Sequence, residues 1–164
     1  MRKQLLIIGV FPPPVRGMPL VTQAIVERLQ EFCSFHRVNL SRHPPLKRLF
    51  RFYKVAKVFY AALKIIQLRF YGMTTVYLPV NAGPGLYLTL GLVALTRLLR
   101  QPVILHHHSW AYLSHYDWRM SLICRLIRSQ GHHVVLCEMM QQQFCQHYPN
   151  TQLHQWRRAR CDVR

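Results

Sequence analysis

The chain has 164 residues, about half of them hydrophobic, which suits one ordinary globular domain and excludes an intrinsically disordered chain. Lys and Arg number 22 against five acidic residues, for a formal net charge of +17. No acidic residue occurs between Glu31 and Asp117. This imbalance predicts attraction to polyanions, which include nucleic acids, anionic lipid head groups and phosphorylated small molecules.

Apolar runs and helical spacings alternate along the chain. Strands are expected at residues 5–10, 35–40, 74–80, 102–106 and 132–137, with helices at 19–32, 46–70, 86–99, 117–129 and 138–147. In the first helix we expect Leu20, Ala24, Ile25 and Leu29 to share the buried face, with Thr22 outside it. This alternation predicts an α/β fold: a Rossmann-like, mostly parallel sheet with helices on both faces.

The two ends of the chain and its cysteines bear on location. The apolar run 5–10 is too short for a signal peptide and meets prolines where a cleavage site should be, so a buried strand is expected. The apolar stretch 86–99 is too short to span a bilayer. Five cysteines without a C-x-x-C pair predict reduced thiols. We expect a domain over residues 1–148, an unpacked basic tail over 149–164, and a cytoplasmic protein.

Ligands of such sheets bind beyond the carboxyl ends of the strands, so the loops at that edge hold the candidate site. In the first loop, FPPPVRGM, Gly17 would let backbone N–H groups approach an anion at the helix start. The loop is neither a dinucleotide fingerprint nor a P-loop, and a rigid turn is the alternative. The candidate substrate-binding residues in these loops are Pro14, Arg16, Gly17, Met18, Asn81, Ser109 and Glu138.

Three consecutive histidines end the fourth strand. Because side chains alternate along a strand, we expect His106 and His108 on one side and His107 on the other. A histidine there can hydrogen-bond a sugar hydroxyl or a phosphate, or transfer a proton. Three consecutive histidines on a strand cannot all point at one ion, so no metal is expected. The alternative is a histidine whose ring is satisfied by backbone carbonyls.

The motif P-P-P-x-x-G-M before the first helix, together with the strand ending H-x-H-S, resembles the N-terminal domain of family 4 glycosyltransferases of the GT-B fold. The stretch VVLCEMM and Phe144 are similar to the family's last strand and short helix before its interdomain crossing. The resemblance covers roughly residues 2–148 in element order. It implies that Gly17 lies near the donor diphosphate, and that His108, with His106 as second choice, is catalytic.

Such enzymes transfer a sugar from a nucleotide donor to a polysaccharide or lipid-linked acceptor, usually with retention and without a metal. The resemblance therefore implies a nucleotide sugar as co-substrate and no other cofactor. The family's second domain holds the nucleotide through a Lys/Arg pair and an E-x(7)-E element, which this sequence lacks. We expect the donor domain to be missing, or supplied by another chain, and this half alone to be inactive.

Residues 46–70 combine basic and aromatic side chains, as in helices that lie on anionic lipid. This pattern predicts a peripheral position on the inner face of the plasma membrane, and a solvated basic face over a core stripe is the alternative. A nucleic-acid-binding module is the rival function, but no helix-turn-helix, RNP or zinc-finger pattern occurs, so nucleic acid is not the expected partner. The expected membrane-facing residues are Lys47, Arg48, Arg51, Lys54 and Lys57.

Overall fold

The computed structural model describes residues 3–12, 17–40, 50–72, 74–128, 130–149 and 153–155. Its strands are β1 (Lys3–Gly9), β2 (Cys33–Asn39), β3 (Thr74–Val80), β4 (Val103–His107), β5 (Gly131–Val135) and β6 (Leu153–Gln155). Its helices are α1 (Met18–Leu29), α2 (Phe50–Phe70), α3 (Gly85–Leu98), α4 (Ala111–Ser114), α5 (Trp118–Ile127) and α6 (Glu138–His147).

The strands form one sheet in the order β2-β1-β3-β4-β5-β6, and every neighbouring pair is parallel. The expected α/β, Rossmann-like fold is confirmed. After β1 the chain moves to one side to form β2, then crosses back and adds β3 to β6 on the other side. The strand order therefore reverses between β1 and β3, whose carboxyl ends flank the crevice where such folds bind ligands.

The two faces of the sheet are covered unequally. Leu6 and Ile8 of β1 point into the larger core, which includes side chains from α2 to α6. Leu5 and Ile7 point the other way, into a smaller core with Ile25 of α1. Among the described helices, α1 alone contributes buried side chains to this second face. Helices thus lie on both faces, as expected, but five of the six lie on one.

The buried face of α1 differs from the expected one. Leu20 is 47% exposed and Ala24 is exposed, whereas Thr22 is fully buried. The residues that α1 turns toward the sheet are Thr22, Ile25 and Val26, all of them buried. This inward face is shifted around the helix from the expected one, so Leu20 and Ala24 turn toward solvent. The expectation for Leu20, Ala24 and Thr22 is therefore wrong, while Ile25 is buried as expected.

Three residues of the expected tail belong to the sheet. Leu153–Gln155 forms β6, which pairs with β5 through Leu153 opposite His133 and Gln155 opposite Val135. The backbone of β6 pairs with the backbone of β5, and this pairing does not depend on the side chains, so no apolar periodicity marks the strand in the sequence. The prediction of an unpacked tail is wrong for these three residues, and residues 156–164 lie outside the described part of the chain.

Candidate functional site

His106 and His108 lie together at the carboxyl end of β4. His106 pairs across the sheet with Pro79 of β3, and its Nδ1 is 2.5 Å from the hydroxyl oxygen of Tyr77. Tyr77 belongs to the core under α1, so His106 faces that side of the sheet. The His108 ring lies against the His106 ring, with 4.1 Å between centroids and 39° between planes. The alternation expected for the three histidines is confirmed.

Both rings are neutral at physiological pH. Burial lowers the pKa of His108 to about 4, and burial together with the neighbouring His108 lowers the pKa of His106 to about 3. His108 Nε2 is buried and has no hydrogen-bond partner in the described part of the chain. A neutral imidazole with an unfilled ring nitrogen can donate or accept one hydrogen bond from a ligand. At neutral pH it is better suited to holding a hydroxyl than to taking a proton from one.

His107 points to the opposite face and is fully buried. Its Nδ1 is 3.0 Å from the Tyr112 hydroxyl and its Nε2 is 2.9 Å from Nδ1 of His133 on β5. The two imidazoles are stacked, and Phe144 packs on both. No pattern in the sequence indicates this network, because His133 reaches His107 only through the strand register that sets His133 opposite Leu105.

Gly17 is the N-cap of α1 and has φ 63°, the left-handed region that favours glycine. Its carbonyl accepts hydrogen bonds from the N–H groups of Leu20 and Val21 at 3.2 and 3.4 Å. Gly17 is exposed, and no atom of the described residues lies within 4 Å of a Cβ placed on it. An anion could therefore approach this helix start. Pro14 and Arg16 lie outside the described residues, and so does the side chain of Met18.

The other described residues of the predicted site, Asn81, Ser109 and Glu138, differ in the contacts that they make. Asn81, after β3, donates from Nδ2 to Thr89 Oγ1 at 3.3 Å. Ser109 Oγ accepts from the Ala111 N–H at 3.2 Å, which stabilises the start of α4, a turn of helix in a segment expected to be loop. Glu138 is exposed in the first turn of α6, and none of its described contacts joins it to the two histidines.

A cavity of about 90 Å³ opens at the point where the strand order reverses, between the sheet and helices α2 and α3. Asn81 is the only one of its described lining residues that the sequence singled out. The cavity forms because Gly9 and Val10 end β1 beside the end of β3 while α2 and α3 pack above them. Its lining comprises Ile8, Gly9, Val10, Leu40, Val58, Leu78, Pro79, Asn81, Leu88, Thr89 and Leu92.

The outer side of α2 is more apolar than expected. Val55, Phe59 and Leu63 follow one another at four-residue intervals and are 62%, 64% and 49% exposed. Lys57 Nζ lies 5.4 Å from the centroid of the Tyr53 ring. Of the other expected basic residues, Lys47 and Arg48 lie outside the described residues, as do the side chains of Arg51 and Lys54.

In the described part of the chain, no group of three His, Cys, Asp or Glu side chains could hold a metal ion. None of the described helices is long and apolar enough to cross a membrane. No protein-family model, curated protein or solved structure matches the chain. The resemblance to glycosyltransferases therefore depends on the residues quoted above.

Proposed function

We propose that this chain is the acceptor-side domain of a GT-B glycosyltransferase, which moves a sugar from a nucleotide donor to a cell-surface polysaccharide or lipid-linked acceptor. The observation that carries the proposal is the pair of neutral histidines at the carboxyl end of β4, where His108 Nε2 is buried and unfilled among the described residues. A sugar hydroxyl would complete its hydrogen bonding and remove the penalty of a buried, unsatisfied polar atom.

In this proposal His108 is the residue that touches the sugar. Because its pKa is about 4, it acts as a neutral hydrogen-bonding group that orients the reacting hydroxyl. His106, bonded to Tyr77, holds the His108 ring in place through the tilted contact between the two rings. Gly17 presents the N-terminus of α1 to the donor diphosphate, where the helix dipole favours negative charge.

The proposed reaction needs a nucleotide-binding half, which another domain or a separate chain would supply. We place the enzyme in the cytoplasm, on the inner face of the plasma membrane. The exposed apolar stripe of α2, defined as Val55, Phe59 and Leu63, supports this position, because every charged residue of that helix is basic. Membrane-surface binding without catalysis is the second candidate function and depends on the same stripe.

The experiment that tests the proposal is a titration followed by the ring signals of the histidines in NMR. UDP-glucose, GDP-mannose and ADP-glucose are added in turn, each beside the same nucleotide without its sugar. Because the nucleotide-binding half is proposed to be supplied separately, we expect only weak binding, in which the His108 ring signals move with at least one nucleotide sugar and stay unchanged with the bare nucleotides. His108→Ala should weaken that binding about tenfold, the effect of losing one hydrogen bond.

His36→Ala is the matched control, because His36 is exposed on β2, away from β4. It should leave the affinity unchanged. If sugar and bare nucleotide shift the same signals, or if both variants weaken binding equally, general attraction of anions to a basic chain explains the result. The proposed sugar contact would then be wrong.

A further inference from the structure

The cavity at the strand-order reversal has a mostly apolar wall. Of its eleven described lining residues none is charged, and aliphatic side chains and proline form most of the surface. Its polar side chains, Asn81 and Thr89, are bonded to each other, and Thr89 Oγ1 lies 3.5 Å from the Gly85 carbonyl oxygen. A phosphate or a sugar placed inside would lose its hydrogen bonds to water with few replacements.

The size of the cavity further limits which ligands can fit inside it. Pockets for drug-sized ligands measure about 300–1,000 Å³, so this cavity of about 90 Å³ is too small for a nucleoside. Apolar cavities of roughly 150 Å³ hold a benzene molecule. The space therefore suits a few methylene groups or one branched unit at the end of a hydrocarbon chain.

The helix that closes the cavity also carries the exposed apolar stripe. Val58 of α2 forms part of the cavity wall, while Val55 and Phe59 on the same helix face outward. Lys57 projects from the side of α2 roughly opposite Val55 and Phe59, and no acidic residue occurs anywhere in the helix. An anionic bilayer matches this combination of exposed apolar side chains and uncompensated positive charge. A hydrocarbon chain that leaves such a bilayer at the exposed face of α2 would have to pass only this helix to enter the cavity.

We propose that this cavity binds the end of a lipid hydrocarbon chain, so that the acceptor is a membrane lipid held by its tail beside α2. That the bound lipid is the acceptor rests on the proposed function, but lipid binding in the cavity does not require transfer of a sugar. The head group of the lipid would then lie at the carboxyl edge of the sheet, the same edge at which β4 ends with the two histidines.

The test uses decyl phosphate below its micelle-forming concentration, with methyl phosphate as the probe that lacks a chain. Binding is followed by the methyl NMR signals of Val58, Leu88 and Leu92, which line the cavity. Decyl phosphate should shift these signals in a saturable manner, and methyl phosphate should leave them unchanged. Either equal shifts with both probes or no shift with decyl phosphate would overturn the proposal.

Two variants of α2 make the test specific. Val58→Phe fills the cavity and should weaken decyl phosphate binding about tenfold, which corresponds to the loss of about two buried methylene groups. Val55→Phe is the matched control: it is the same substitution, three residues away, at a 62% exposed position, and it should leave the affinity unchanged. Equal weakening in both variants would place the probe on the outer stripe and contradict the cavity assignment.

If Val58→Phe does not fold, Leu88→Phe on α3 narrows the same cavity from the other side. The result separates the inference from the proposed function, because the probe contains neither sugar nor nucleotide. If decyl phosphate binds in the cavity and His108 does not respond to nucleotide sugars, the chain binds lipid and the proposed glycosyltransferase function is wrong. A His108 response without cavity binding would leave a glycosyltransferase domain whose acceptor is held in another way.

Discussion

His107 has no exposed surface, and both of its ring nitrogens lie within hydrogen-bond distance of side chains in the core. Burial is the main cause that holds its pKa well below the ordinary value, and the neighbouring His133 adds to the effect. Burial likewise lowers the pKa of His133 to about 3. The two stacked rings are therefore neutral in the folded protein across the physiological range.

These buried histidines make the fold sensitive to acid. In the unfolded chain each histidine takes up a proton below about pH 6.5, whereas the folded chain keeps His133 neutral down to about pH 3. The unfolded state then binds more protons, so stability is complete above pH 6.5 and falls as the pH drops toward 3. Each such histidine should lower the free energy of unfolding by about 1.4 kcal/mol per pH unit. Urea unfolding at pH 7 and pH 5 measures this decrease in the free energy of unfolding.

His133→Gln keeps a hydrogen-bonding group beside His107 but removes one titrating ring, so the loss of stability between pH 7 and pH 5 should become smaller. His36→Gln, at an exposed site on β2, should leave that loss unchanged. An identical pH dependence in the wild type and in His133→Gln would show that other groups cause the acid sensitivity.

The candidate site could be predicted from the sequence only in part. Strand alternation was enough to place His106 and His108 on one side, because that rule needs no partner strand. The contact between His107 and His133 joins residues 26 apart and depends on the register of two neighbouring strands. No pattern within either strand encodes that register. The cavity was missed for a similar reason, since its walls come from β1, β3, α2 and α3.

At the level of elements, Asp117 and Arg119 join the start of α5 to the loop after β3. Asp117 caps the helix by accepting the Arg119 N–H at 2.9 Å, and its carboxylate binds the Arg119 guanidinium at 2.6 and 2.9 Å. Arg119 Nη1 in turn donates to the Gly83 carbonyl at 3.1 Å. The hydrogen bond from Arg119 is the first cause that holds the pKa of Asp117 below its usual value.

Asp117→Ala should therefore destabilise the fold by about 1–2 kcal/mol, the usual effect of removing an N-cap. Asp117→Asn keeps an oxygen for the cap while removing the charge, so it should destabilise the fold less. Equilibrium unfolding in urea compares the two variants. If Asn were as damaging as Ala, the ion pair with Arg119 rather than the cap would be the stabilising contact.

Long elements were predicted well from the sequence and short ones were not. β3 and α6 have the expected bounds, because each is a clear run between turn-forming residues. α4 has four residues and β6 has three, too few to display any period. Such elements form because neighbouring structure supplies their partners: α6 packs beside α4, and β5 pairs with β6.

The whole molecule combines a net charge of +17 with the apolar stripe of α2. We expect it to bind vesicles of phosphatidylglycerol and to bind phosphatidylcholine vesicles much more weakly, because anionic head groups attract nearby Lys and Arg by about 1 kcal/mol each. Raising the salt concentration should weaken this binding by screening the charges. Co-sedimentation with vesicles at two salt concentrations measures both effects.

Phe59→Ser should reduce the binding that remains at high salt, because it removes the aromatic ring at the centre of the stripe. Phe32→Ser is the matched control, since Phe32 is 69% exposed in the turn after α1 and lies outside α2. If both variants bind as the wild type does, charge alone draws the chain to the vesicles. Tighter binding to DNA than to the anionic vesicles would instead favour the nucleic-acid alternative.

The interior position of β1, between β2 and β3, has a consequence for how the chain is synthesised. β1 pairs with β2 on one side and with β3 on the other. In the second pair Gln4 lies opposite Thr74, which comes 70 residues later in the sequence. A ribosome adds about 5–20 residues per second, so the strand KQLLIIG waits several seconds for that partner. During this interval one edge of an apolar strand stays unpaired. We expect this strand to be the segment that chaperones bind on the nascent chain, and slow codons before Thr74 to increase misfolding.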